Sequence, residues 1–71
     1  MKYYVKTDAV AVDGIEAESM DAAAVQFASS EGIAGVTDVA TLVEAIEAID
    51  GAWLWIESDE GGDRVHAGNM P

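Results

Sequence analysis

Fourteen carboxylates, one imidazole, two tryptophans and no thiol are what this 71-residue chain offers to chemistry. A nucleophile triad needs a Ser or Cys, a base and a group that orients the base. His66 is the sole imidazole, and its place in Arg64-Val65-His66-Ala67 near the C-terminus reads as an ordinary strand position. One His and no Cys exclude a multi-histidine or thiolate metal centre built by one chain. Paired carboxylates do acid–base work when one of them is desolvated, but a chain this short buries little around them. The loop Glu57-Ser58-Asp59-Glu60-Gly61-Gly62-Asp63 invites a calcium reading that fails on spacing. Counted from Glu57, an EF-hand loop would put Gly61 at its fifth position and Gly68 at its twelfth, where oxygen ligands belong. Gly61-Gly62 is no phosphate cradle either, because the neighbouring acids repel phosphate. No catalytic residue, cofactor or metal is expected, and the chain reads as a non-enzyme.

Trp53 and Trp55 could stack nucleic-acid bases, yet a strongly negative chain repels the backbone those bases come with. Core packing is the expected role of the pair, with an exposed interface anchor as the alternative. The carboxylates themselves remain. Seven Asp and seven Glu face two Lys and one Arg, a formal −11. Lys2, Lys6 and Arg64 sit near the two ends, so Thr7–Asp63 holds all 14 acids and no strong base. Neighbours of opposite sign stabilise a fold modestly; here most acids must face water, counter-ions or a basic partner, and their mutual repulsion costs stability. Disorder is not the explanation, since 51% of residues are hydrophobic and disorder couples high charge to low hydrophobicity. A −11 chain is not a conventional nucleic-acid binder. No apolar run approaches the roughly 20 residues of a membrane helix, and Met1-Lys2-Tyr3 opens no signal peptide. A soluble cytoplasmic protein is expected.

The elements that must carry these acids follow from periodicity. Lys2–Thr7 is rich in β-formers, with Tyr3 and Val5 on one face and Lys2, Tyr4 and Lys6 on the other. Val10 and Val12 resume strand character. Asp13-Gly14 is a two-residue turn signal, so an N-terminal hairpin is predicted, returning through Ile15-Glu16-Ala17-Glu18 with Glu16 and Glu18 outward. Ser19 caps a helix over Met20–Glu31 that ends at Gly32 and packs through Met20, Ala23, Ala24, Phe27 and Ala28. After the connector Ile33-Ala34-Gly35-Val36, Thr37 or Asp38 caps a second helix. Its stripe of Val39, Leu42, Val43, Ile46 and Ile49 leaves Glu44 and Glu47 outside. A rival reading ends that helix near Val43 and pairs residues 45–50 as a strand through Asp50-Gly51. Ala52–Glu57 is a strand with Leu54 and Ile56 opposite the tryptophans, Arg64–Ala67 a short last strand, and Gly68–Pro71 a frayed tail. The sum over residues 1–71 is one small α+β domain: an antiparallel sheet of three to five strands with one or two helices on one face.

Rows of like charge then suggest what the acids are for. Successive outward strand residues lie about 6.6 Å apart, as Glu16 and Glu18 would. Helix residues three apart have Cβ atoms about 5–6 Å apart, as Glu44 and Glu47 would. Duplex DNA carries a charge every ~1.7 Å of axis, and its binders answer with Lys/Arg grooves. Lys2-Tyr3-Tyr4-Val5, Ile15-Glu16-Ala17-Glu18-Ser19, the Ala-rich helix ending Ala28-Ser29-Ser30-Glu31 and Asp50-Gly51-Ala52-Trp53-Leu54 together resemble the layout of small phage-encoded anti-CRISPR proteins, those acting on type I (Cascade) complexes above all. The resemblance covers most of the chain. It implies an inhibitor of bacterial immunity working in the bacterial host cell, a DNA mimic that blocks a Lys/Arg-lined DNA or PAM recognition site on a Cas protein, or the basic surface of another nucleic-acid-handling protein. Glu44, Glu47, Asp50, Asp59, Glu60 and Asp63 are expected to form one partner-binding cluster, with Glu16 and Glu18 a second row. No direct contact with nucleic acid or membrane is expected, and the chain is a monomer or small homo-oligomer. Two other readings stay open: an ordinary domain of a halophile, whose acids would spread evenly, and a generic acidic adaptor docking through its tryptophans.

Overall fold

The structure is a computed structural model that describes residues 1–68. Its elements run β1 (Lys2–Thr7), β2 (Ala11–Glu16), α1 (Met20–Glu31), α2 (Val39–Glu47), β3 (Trp53–Ser58) and β4 (Arg64–Gly68). The four strands form one antiparallel sheet in the order β2-β1-β3-β4, and both helices pack on one of its faces. This is the α+β architecture expected from the sequence, with four strands and two helices. Among the described residues no helix is long and apolar enough to cross a membrane.

The hairpin forms, but not at Asp13-Gly14. The chain reverses at Asp8-Ala9. There the Thr7 hydroxyl accepts from the N–H groups of Ala9 and Val10, both at 3.2 Å, and the Thr7 N–H donates to the Val10 carbonyl at 2.7 Å. A side chain that mimics a turn's hydrogen bonds thus outweighs the Asp-Gly signal. Asp13-Gly14 is instead spent inside β2. The pairing Tyr3↔Ile15 changes to Val5↔Val12, so β2 carries one residue more than β1 across the step. Gly14 sits at φ 76, the left-handed conformation of a G1-type bulge. The bulge leaves both Val12 and Ile15 facing the helices.

Each helix is closed where its sequence offers a cap. The Ala22 N–H donates to the Ser19 hydroxyl at 3.1 Å, and Gly32 ends α1. Ala23, Ala24, Phe27 and Ala28 are buried; the small alanines let α1 lie close to the sheet, with Phe27 filling the layer between. Asp38 caps α2 in a capping box, its carboxylate accepting from the Thr41 N–H and hydroxyl, each at 2.8 Å. Asp21 reaches from α1 to accept from the Val39 N–H at 2.9 Å, so one acid serves both helix starts. The helical alternative for residues 44–50 is the one the chain adopts. Helix α2 stops at Glu47, however, and Ile49 is left 55% exposed in the turn to β3.

The core lies between sheet and helices. Tyr3 and Val5 of β1, Leu54 and Ile56 of β3 and Ala67 of β4 meet Phe27, Leu42 and Ile46, all buried. Strand β4 runs one residue beyond its expected end, to Gly68; the rest of the expected tail lies outside the described residues.

Candidate partner-binding surfaces

Strand register decides which side chains share the face that the helices leave open, because directly paired residues of antiparallel strands point the same way. Lys2 pairs with Glu16. Tyr4 pairs with Glu57, and Glu57 with Arg64. Lys6 pairs with Trp55, and Trp55 with His66. All three strong bases, the only imidazole and both tryptophans therefore lie on one face, with Glu16 and Glu57 among them. The expected core role of the tryptophans is overturned. Alternation along β3 sends Leu54 and Ile56 into the core and Trp53 and Trp55 out the other side, where they remain half-buried.

On this open face the aromatics are covered laterally by cations. The Trp55 and His66 rings stack at 4.2 Å with an 18° interplanar angle. The Arg64 guanidinium lies 5.3 Å from the Trp55 ring and the Lys6 ammonium 5.9 Å from the Trp53 ring, distances within cation–π range. The Trp55 indole N–H is buried and has no acceptor, although a buried indole N–H usually finds one.

The acids lie mostly elsewhere. Glu44 and Glu47 are exposed in the last turn of α2, Asp50 in the turn that follows, and Asp59, Glu60 and Asp63 around the β3–β4 loop. Asp50 precedes β3 and Asp59 follows it. A six-residue strand spans about 20 Å, so the six residues form two groups of three at opposite ends of that strand and not one cluster. The second group is held by Ser58, whose hydroxyl accepts from the Glu60 N–H at 3.3 Å and whose carbonyl accepts from the Gly61 N–H at 3.0 Å. Glu16 and Glu18 are both exposed, flanking buried Ala17. Glu16 Oε1 is 3.3 Å from the terminal ammonium of Met1.

That contact is the only ion pair among the described residues. Withdrawing Lys2, Lys6 and Arg64 to the sheet face leaves the acids of the helices and loops without a basic partner. Several also stand where a helix tolerates them least. Neither helix has a basic residue in its last turn, yet Glu31 ends α1 and Glu44 and Glu47 end α2, facing the negative pole of the helix dipole. Two acids are well placed: Asp21 at the helix starts, and Asp38, whose carboxyl is held below its ordinary value by hydrogen bonds from the Thr41 backbone N–H and hydroxyl. No group of three His or carboxylate side chains among the described residues could hold a metal ion.

Sequence reasoning named the acids and missed the opposite face. The signal was present in the period-2 pattern of Lys2/Tyr4/Lys6, Trp53/Trp55 and Arg64/His66; what was lacking was the register that joins the three strands. No family model, curated protein or solved structure matches the chain.

Proposed function

We propose that this chain is a non-catalytic inhibitor that occupies a Lys/Arg-lined DNA site on another protein, presenting carboxylates where DNA would present phosphates. The observation that supports this reading is the placement of the acids. Most have no base beside them, and three of them, Glu31, Glu44 and Glu47, stand in the C-terminal turns of the helices, where they reduce stability. Acids retained at such positions do their work outside the fold. Of the 14 acids, Glu16 and Glu57 are registered onto the open sheet face beside the bases and Asp13, exposed in β2 next to helix-facing Val12, joins them there; the others lie on helices, turns and loops. The acids are therefore not spread evenly, as the reading of a halophile's ordinary domain requires. A strong negative field steers the chain onto a basic groove at a rate that falls with ionic strength.

The resemblance to anti-CRISPR proteins makes a type I surveillance complex the first partner to try. The experiment is competition: the complex is mixed with labelled target DNA and increasing amounts of the chain. Displacement of DNA is expected, strong at low salt and weak at high salt. It should be lost in a variant carrying Glu44→Lys, Glu47→Lys and Asp50→Lys, or in one carrying Asp59→Lys, Glu60→Lys and Asp63→Lys. Displacement by both triple variants at the parental concentration would show that mimicry is wrong. Failure against Cas complexes and against a panel of other DNA-groove proteins would leave the acids without a target and refute the reading.

A further inference from the structure

The open sheet face points to a second copy of this chain as its occupant, in a back-to-back dimer of sheets, and we propose that association here. Three observations carry it. First, the face holds the side chains that dominate protein interfaces. Trp53, Trp55, Tyr4, Arg64 and His66 stand together, and Trp, Tyr and Arg are the residue types enriched at binding hot spots. Second, the face is the part of the surface where the charge is balanced. Lys2, Lys6 and Arg64 stand among Asp13, Glu16 and Glu57, so two such faces related by a twofold axis can set acids of one against bases of the other. Third, this geometry turns the anionic helices of both copies outward. Even the shortest dimension of one molecule, 18 Å between Cα atoms, exceeds twice the ~8 Å Debye length of physiological salt. The head-to-tail alternative, sheet face on helical face, would instead bring acid-rich surfaces inward and propagate without closing.

Area sets the strength. Four strands about 4.8 Å apart and six residues long, at ~3.3 Å each, outline roughly 400 Å² of sheet. A standard interface takes about 800 Å² per partner, so the dimer is dissociable and depends on protein concentration. The proposal is independent of whatever binds the acidic side.

Sedimentation equilibrium over a wide concentration range, at about 0.01 M and about 0.1 M salt, tests it. The Debye length falls from about 30 to about 10 Å between those conditions. At the lower salt whole copies repel at −11 each, because the screening length exceeds the 18 Å thickness of the molecule. The face itself is balanced, so the dimer should tighten several-fold at the higher salt. Trp53 and Trp55 are the only tryptophans, so their emission should shift to the blue in step with dimerisation. Trp55→Ala should weaken the dimer at least about tenfold. His66→Glu, at an exposed position outside the core, should do the same if Trp55→Ala does not fold. A monomer at every concentration and salt overturns the proposal. So does association that weakens with salt and is abolished by Glu44→Lys with Glu47→Lys but not by Trp55→Ala, which marks head-to-tail contact. A chain that stays monomeric while an oligonucleotide or acidic peptide quenches its tryptophans overturns it as well, and gives the face to that ligand.

Discussion

Replacing Glu44 and Glu47 together by Lys should strengthen the fold while weakening the function proposed for it. Both residues are exposed in the last turn of the nine-residue helix α2, with no base beside them. Like charges one helical turn apart destabilise by about 0.2–0.5 kcal/mol. An acid at the negative pole of a helix is unfavourable, and a base there favourable, by about 0.3–1 kcal/mol each. Two lysines repel each other as two glutamates do, so the first effect is unchanged, and reversing the second at two sites gives a gain of about 1–2 kcal/mol after partial screening. For a domain of this size each 1 kcal/mol is worth about 4–8 °C in Tm. The double variant should therefore melt about 4–15 °C above the parent, by circular dichroism at low salt. Against a basic groove the same change acts in the opposite sense. A carboxylate about 6 Å from a cation in water gains about 0.7 kcal/mol. Reversal turns that gain into an equal loss, about 1.4 kcal/mol or tenfold per site. Two reversals should cost about a hundredfold in binding, against about threefold for one Ala replacement. A variant that melts at or below the parent's temperature would refute the claim that these acids are held at the expense of the helix.

The backbone and core give further tests. Leu54 is fully buried in the central strand β3, and Leu54→Ala should cost about 3 kcal/mol in urea unfolding. Gly14 and Gly68 both have positive φ, but a Cβ on Gly14 would meet nothing within 4 Å, whereas one on Gly68 would collide with the Ala52 carbonyl oxygen. Gly14→Ala should thus cost only the strain of a left-handed residue, about 1–2 kcal/mol, and Gly68→Ala clearly more, both read from denaturant midpoints. The Asp38 carboxyl is held below its ordinary value by Thr41, so its contribution is present in full above that ordinary value of 3.8 and is lost as pH falls further, through the folded-state value. Below about pH 4, Asp38→Asn, which keeps a capping oxygen, should lose less helix signal than the parent. Melting temperature should also rise with added salt in the parent, as screening relieves acid repulsion, and rise less in the variant with Lys at 44 and 47.

Local signals were legible in the sequence wherever a side chain acts on its own neighbourhood. Ser19, Asp38 and Gly32 delimit their helices as capping chemistry requires, and the stripe of Ala23, Ala24, Phe27 and Ala28 faces the core. Asp13-Gly14 was misread because the pair satisfies two geometries, a tight hairpin and a bulge. The choice fell to the Thr7 hydroxyl six residues earlier, which builds the turn at Asp8-Ala9. The tryptophans were misassigned for a different reason. Alternation shows that Trp53 and Trp55 oppose Leu54 and Ile56, but two such pairs can each claim the core, and only the placement of the helices decides between them. The sixfold acid cluster failed on distance: a strand of six residues separates Asp50 from Asp59, and a list of acids holds no information about that.

Net charge proves a poor guide to any one surface of this molecule. From −11 alone the chain repels every polyanion and every copy of itself. Folding sorts the charges, sending three bases to a single sheet face and leaving the helices and loops acidic. At a Debye length of ~8 Å a visitor at the sheet face feels chiefly Lys2, Lys6, Arg64, Asp13, Glu16 and Glu57, with the helical acids at least partly screened across the body. The two faces must then answer salt with opposite signs. Contacts to a basic groove weaken as salt rises, because attraction between unlike surfaces is screened. Sheet-to-sheet contacts strengthen between about 0.01 and about 0.1 M salt, where the Debye length falls from about 30 to about 10 Å and repulsion between whole molecules is relieved. Titrating salt in a single preparation, with sedimentation for self-association and competition for partner binding, should drive the two associations in opposite directions. Responses of the same sign would mean that the segregation of charge seen in the strand register does not govern how this protein meets other molecules.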